Sequence, residues 1–542
     1  MLFTIKREYY LKKVISFLIA SVLLAIATIT VGAADVAEYE FGEIAHLSIG
    51  DVNADTEVSS TDLVVLRKKL LSFDIFISSA ADMNYDGAVD IIDLVRLKKK
   101  IVGVEPISIF EDQANDLKNN ILNSDNTIPD TVKGTIYYVS KDGSNLANGS
   151  EEKPYSYAQF INEEFSLNSV DAVLFKRGEV FRNGFVAKSG VYYGAYGKGD
   201  KPCIYGSKMN YANANWSYTE ANIWVCDITF SKDVGTVIFN NGEFIGYKKP
   251  EKSGLKNNGD FWCDKEDNYK LYMCMEKNPT EVYKSIEIGT YQDIIAIYSG
   301  AENITIENLC LKYTGAHGIG ISTNCNNIAV RNCEISFIGG CYLSGTLRFG
   351  NGIQLWQACK DIIIENNWIH DIYDSGVTHQ GSGEYIAKNI TVKANLIERC
   401  GMGSIEYWLG FTDSDRDGVY EGRSKCVNVN YIENIMRYAG YGYGGEQRPD
   451  KISSHIRSDV SCPNWSQVFN VRNNIFDIST GDLFEIGGTW GPYPTLSGNI
   501  YAQFQDRNLG VYGKYDINDF GLFIKDTINY DFGDTNAKVY YY

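Results

Sequence analysis

From about residue 303 the chain repeats short runs in which apolar and polar positions alternate and then close on asparagine. Residues 303–310, 327–334, 361–368, 389–396 and 468–475 are such copies, built on Ile, Val or Phe at every second position. A period of two sends successive side chains to opposite faces, so each copy predicts a β-strand with one buried face. The copies recur unevenly, roughly every 24 to 40 residues, which predicts a solenoid with loops inserted into some rungs. Stacking would set Asn308, Asn332, Asn366 and Asn473 above one another at a turn, where side-chain amides can pair between rungs.

Aligning the copies on these asparagines brings a second strand into register. Ile319, Ile353, Val377, Ile405 and Phe484 then form one inward column, and the residues after them must point outward: Gly320, Gln354, Thr378, Glu406 and Glu485. Two residues further along, the same face carries Ser322, Trp356, Gln380 and Trp408. The stretch from Tyr441 to Glu446 is too irregular to align. Strand-rich sequence already begins at residue 135, and residues 171–182, 194–199 and 202–207 read as the opening rungs.

Ahead of the strands the pattern turns helical. Leu63, Leu66 and Leu70 recur as Leu94, Leu97 and Ile101, an i, i+3, i+7 stripe, followed by matching basic residues. Each stripe follows an acidic loop, and the two loops start 31 residues apart. The first sets Asp51, Asn53, Asp55 and Asp62 at loop positions 1, 3, 5 and 12, and the second sets Asp82, Asn84, Asp86 and Asp93 there. Ser59 and Asp90 fill position 9, while Glu57 and Ala88 offer backbone carbonyls at position 7. A hard cation such as Ca2+ needs this convergence of oxygens from one tight turn. Thr56 stands where the sharp turn prefers glycine, whereas the second loop keeps Gly87, so the first site is expected to be the weaker.

The duplicated loop and helix, over residues 46–104, resembles a type I dockerin. The resemblance implies calcium in both EF-hand-like loops and a cohesin of a scaffoldin protein as partner, recognised through Ser60, Thr61, Ile91 and Ile92. Those two pairs differ chemically, so the two faces are not expected to bind one cohesin equally. The solenoid, residues 135–542, resembles the right-handed parallel β-helix of pectate lyase-like and polygalacturonase-like enzymes. The expected fold is therefore mostly β, a right-handed parallel β-helix preceded by a small α-helical module. Residues 105–134, polar and carrying Pro106 and Pro129, read as a linker with a short helical piece around Asp112 to Leu122.

The first 34 residues read as a secretory signal: Lys6, Arg7, Lys12 and Lys13, an apolar run from Val14 to Val31, then Gly32, Ala33 and Ala34. An exported, extracellular, scaffold-associated protein with no stable membrane insertion after cleavage is expected. A net charge of −18 excludes nucleic acid, which asks for basic stripes. The twelve cysteines fall at scattered offsets without a CxxC pair, so they read as small apolar core fillers rather than a disulfide framework.

The outward face of the solenoid holds the candidate chemistry. Carboxylates beside tryptophans suit sugar processing, because indole faces cover the apolar side of a pyranose while acids act on the glycosidic bond. Glu406 is the first choice for general acid or base, with Asp374 as second carboxylate and Glu485 and Asp371 as competitors. Trp356, Trp408, Gln354 and Gln380 are the substrate-binding candidates. His379 falls on the inward parity and reads as a core residue, and His370 is no better placed. Asp413, Asp415, Asp417 and Glu421 form a candidate second calcium turn. Hydrolysis of plant cell-wall polysaccharide by paired carboxylates is the favoured function. The alternatives are a calcium-assisted uronate lyase with Arg348, Arg437, Arg448 or Lys451 near its base, and a non-catalytic carbohydrate-binding solenoid.

Overall fold

A computed structural model describes residues 50–54, 57–73, 75–83, 88–101, 108–125, 128–162, 165–381, 383–408, 410–412, 422–458, 466–487, 493–521 and 524–542. The expected signal segment and the acidic turn with Asp413, Asp415, Asp417 and Glu421 lie outside these residues. Among those described, no helix is long and apolar enough to cross a membrane.

Among the described residues, three sheets of ten strands each run along the larger part of the chain. One complete rung supplies Glu302–Glu307 to the first sheet, Cys310–Thr314 to the second and Ile319–Ile321 to the third. Strands of successive rungs pair in parallel, for example Ile304 with Ile328 and Ile328 with Ile362. This is a parallel β-helix. The opening strands overlap the segments the sequence pointed to, at Ala172–Lys176, Val180–Arg182, Tyr192–Tyr196 and Cys203–Tyr205, and Phe185–Val186 adds one that it did not. The alternating residues Ile304, Ile328, Ile362, Ile390, Val429 and Phe469 fill the interior, each at 2% exposure or less. Burying each contributes on the order of 1.5–3 kcal/mol, so the core alone holds the rungs in register.

The asparagine turn differs from expectation by one residue. Asn308, Asn332, Asn366 and Asn473 sit at φ between 51° and 58°, the left-handed conformation that asparagine tolerates best. They are the corner, and the amide ladder is built by the next position. Asn367, Asn395, Asn434, Asn474 and Asn499 are all fully buried. Each donates its Nδ2 to the Oδ1 of the next, at 2.9–3.1 Å, and Asp534 ends the row. The same Nδ2 groups also reach carbonyls of a neighbouring rung, such as Val330 O and Ile364 O, so a buried corner keeps its polar groups satisfied.

One insertion was not anticipated. Between Cys203–Tyr205 and Ile295–Ile297 the chain builds a five-stranded and a three-stranded sheet around Val237, Phe239, Phe261, Leu271, Met273 and Ile288. The eleven cysteines among the described residues are free thiols, and all but Cys203 are buried, as fillers of the core should be.

The N-terminal module contains α1 (Ser60–Leu70) and α2 (Ile91–Ile101). Leu66 and Leu97, the centres of the two expected stripes, are fully buried together with Val52 and Ala81. The segment read as a linker carries α3 (Glu111–Leu122), whose Ala114 and Ile121 pack on Trp368, Leu396, Ile435 and Ile475 of the second sheet. Arg96 of α2 donates to Ser108 O and Asp112 Oδ1, both at 3.0 Å, and Arg437 pairs with Glu111 at 3.0 Å.

Candidate functional site

The third sheet positions the candidate residues through β1 (Ile319–Ile321), β2 (Ile353–Trp356), β3 (Ser375–Gln380), β4 (Gly403–Trp408), β5 (Ser454–Ser458) and β6 (Phe484–Ile486). Ile319, Ile353, Val377, Ile405, Ile456 and Phe484 lie in one register row, and all are fully buried. The next row runs Gly320, Gln354, Thr378, Glu406, Arg457 and Glu485. Trp356, Gln380 and Trp408 form the row beyond.

The expected outward row is therefore present, with one addition and one change of character. The addition is Arg457, which stands between Glu406 and Glu485 and bonds to the latter. The irregular stretch near Tyr441 is not a rung strand; it is the helix Gly442–Gln447, and the strand follows it. The change concerns Gln354 and Thr378, which are covered rather than open. Gln354 Oε1 accepts from Asn351 Nδ2 at 2.7 Å and Gln380 Nε2 at 3.3 Å, so these amides form a braced floor. Trp356 stays 38% exposed, a free indole face, and Trp408 is half-buried.

Glu406 is held between the buried Ile405 and Tyr407, which fix the direction of its side chain. Ser375 Oγ donates to Glu406 Oε2 at 3.3 Å, and Asn351 Oδ1 accepts the Ser375 amide at 3.0 Å. Burial, aided by the charge of Asp374, pushes the Glu406 carboxyl up to about 7, against the opposing pull of Arg457 and Arg448. Asp374 is also raised by burial, while Arg448, 2.6 Å away, works to keep it ionised. Arg448 is shared with Asp450 at 2.7 Å.

The other acids and bases are occupied elsewhere. Asp371 belongs to the second sheet, in Trp368–Ile372, where Arg399 grips it with two bonds of 3.0 Å and His370 Nδ1 lies 2.7 Å away. Burial alone would raise Asp371, but those two partners win and hold it well below the usual carboxylate range. His379 is the core residue its parity implied: it is buried against Tyr431 and Tyr407, and burial pushes its imidazole down to about 3. Of the cations weighed as lyase bases, Arg437 is bonded to Glu398 on the second sheet and to Glu111 of α3. Arg348 donates to the carbonyls of Gly340 and Gly235 and to Gln447, and Lys451 donates to the carbonyls of Gly445 and Glu446.

One carboxylate escaped the sequence reading. Asp293 Oδ1 accepts the His317 amide at 3.1 Å, and Asp293 Oδ2 lies 2.2 Å from where a Cβ on Gly320 would stand. Gly320 leaves its place in the row to that carboxylate, which only a gap in the row itself could have signalled.

In the N-terminal module Asp51, Asp62 and Asp93 are buried. Asp62 accepts the amides of Asn53 and Ser59 at 3.0 and 2.8 Å, and Asp93 those of Met83 and Asp90 at 2.7 Å. Asp51, Asn53, Ser59 and Asp62 belong to the first loop and Asp82, Asp90 and Asp93 to the second, and among the described residues no group of three or more acidic, histidine or cysteine side chains is gathered closely enough to hold a metal ion. Asp55, Asn84 and Asp86 lie outside the described residues. Ser60, Thr61 and Ile91 are exposed.

Residues 49–102 match the dockerin type I domain. Type I dockerins bind calcium and cohesins. No curated protein matches the chain. Among solved structures, a complex of XylC with xylose aligns at TM-score 0.44 and 13% identity over 71% of this chain and 73% of the other. A GH136 lacto-N-biosidase from Eubacterium ramulus aligns at TM-score 0.39 and 12% identity over 90% and 81%. An exopolygalacturonase from Thermotoga maritima aligns at TM-score 0.32 and 14% identity over 72% and 91%.

Proposed function

We propose that the chain is an exported glycoside hydrolase of plant cell-wall polysaccharide, held on a scaffoldin through cohesin, with Glu406 as its general acid. The observation that carries the reading is Glu406 itself, a carboxyl raised to about 7 beside a second carboxylate. Proton donation to a glycosidic oxygen near neutral pH requires an acid that still holds its proton there. Asp374, raised by burial but with Arg448 favouring its ionised form, is the partner that acts at the anomeric carbon or on water. Trp356 supplies a face for a sugar ring, and Trp408 and Gln380 continue that row along the third sheet.

Hydrolysis is favoured over elimination because, among the described residues, the cations near the row are already spent. Arg448 lies between Asp374 and Asp450, Arg457 is bonded to Glu485, and Arg348 and Lys451 serve backbone carbonyls. A lyase would need one of them free to hold a uronate carboxylate or to take a proton. A panel of plant polysaccharides, assayed with and without chelator, tests the assignment. Release of reducing ends without ultraviolet-absorbing unsaturated uronide supports it. Unsaturated product would establish the lyase, and no product from any member would leave a binding solenoid.

A further inference from the structure

A second cluster lies on a different sheet from Glu406. Strands Cys203–Tyr205, Cys310–Thr314 and Glu334–Ile338 of the second sheet, with the chain just past α3, line a cavity of about 740 Å³. Two cations in its wall are almost wholly covered, Arg177 at 9% and Lys201 at 4% exposure. Their partners are all neutral. Lys201 Nζ donates to Asn308 Oδ1 at 2.6 Å and Ser124 Oγ at 3.0 Å, and Arg177 donates to Ser124 O at 2.7 Å and Gly199 O at 3.4 Å.

The acids nearby make no ion pair with either cation: Asp125 and Asp200 also line the cavity, both exposed to solvent. Glu334 is paired with Lys312 at 2.5 Å, and Glu307 is held by Tyr192 Oη at 2.5 Å and Asn332 Nδ2 at 3.1 Å. Ser124 follows the end of α3, whose dipole offers only about half a negative charge against two cations. Covering a cation without a counter-charge is costly, and burial accordingly pulls the Lys201 ammonium down to about 8. Lysine has three N–H donors and arginine five, so both side chains keep donors in reserve beyond those used here. A guanidinium fork beside an ammonium suits a planar carboxylate. The cavity falls within the roughly 300–1,000 Å³ typical of small-ligand sites, more room than a lone inorganic ion needs.

We propose that this cavity is a second binding site, for a carboxylate-bearing sugar, in which Arg177 and Lys201 hold the anion and exposed Lys198 guides it in. The proposal rests on the reading that the chain handles polysaccharide, and it makes an acidic sugar a recognised part of that polymer.

Isothermal titration of the full chain with digalacturonate, cellobiose and inorganic phosphate tests it. Digalacturonate should bind, more weakly at high salt, and cellobiose should not compete for the same site. Arg177→Gln should weaken binding by about tenfold or more, the usual cost of losing a hydrogen bond to a charged group. Lys198→Glu, a change at an exposed position, should weaken it without any burden on folding. Glu406→Gln should leave this binding intact, which separates failure of the cavity from failure of the catalytic assignment. Absence of digalacturonate binding, or equal binding by both cavity variants, would overturn the site. Phosphate binding as tight as digalacturonate would overturn its assignment to a sugar.

Discussion

Replacing Glu406 by glutamine should make the protein a worse enzyme and, in alkaline solution, a more stable one. Moving a carboxyl from its ordinary 4.5 to about 7 penalises its ionised form in the folded state by about 3 kcal/mol, at roughly 1.4 kcal/mol per pH unit. The sign follows from proton uptake. Below about 4.5 the group is neutral in both folded and unfolded chains and costs nothing; between 4.5 and 7 the penalty grows, and above about 7 it is complete. Glu406→Gln keeps the shape and cannot ionise. At pH 8 the variant should therefore melt a few degrees higher than the parent, while at pH 4 the two should coincide. Turnover should fall by about a hundredfold or more, the usual contribution of a general acid. For the parent, turnover should decline as pH rises through about 7, where the acid loses its proton. Thermal melts at the two pH values and a pH–rate profile on the substrate found by the panel measure all of this. Identical pH dependence of stability in both proteins would refute the environment assigned to Glu406, and near-native turnover would refute its role.

Arg457→Gln removes one of the cations that oppose ionisation of Glu406, so the alkaline limb of the pH–rate profile should move to higher pH; an unmoved limb would show that the two side chains do not communicate. Trp356→Ala should raise KM roughly threefold to tenfold with kcat nearly unchanged, because a stacking face is lost while the acid stays; a fall in kcat alone would contradict a binding role. Chelation should abolish cohesin binding, and replacing Asp82 and Asp93 with Ala should harm it more than replacing Asp51 and Asp62, since only the second loop keeps its glycine. Equal titration curves in excess EDTA, or equal damage from the two pairs, would count against these two claims respectively.

The parallel coil was legible because its interior demands an aliphatic residue at every second position, and the Ile304, Ile328, Ile362 and Ile390 row obeys that demand rung after rung. The asparagine ladder was misplaced by one residue for a definite reason. Two of the corners carry Asn-Asn pairs, Asn366 with Asn367 and Asn473 with Asn474, so the pattern alone leaves the register ambiguous. The corner position needs only tolerance of positive φ, which Ala394 and Glu433 also supply, whereas the ladder position needs an amide that donates and accepts at once. The insertion before Ile295 was hidden because an antiparallel strand such as Lys270–Cys274 has the same two-residue period as a rung.

Glu406 was legible and its protonation state was not, for reasons that lie at different distances along the chain. Its direction depends on its immediate neighbours, since Ile405 and Tyr407 both turn inward and leave the residue between them no other face. Its affinity for a proton depends first on burial and then on Asp374, Arg457 and Arg448, which arrive from a turn one rung away, from a strand with a single aliphatic residue and from the end of the Gly442–Gln447 helix. Asp374 and Arg448 lie off the repeat that located Glu406, and Arg457 occupies its row on a strand too poor in aliphatic residues to be recognised. The regular part of the sequence thus builds a rigid face that holds a carboxyl in place, and the irregular part decides how strongly that carboxyl keeps its proton.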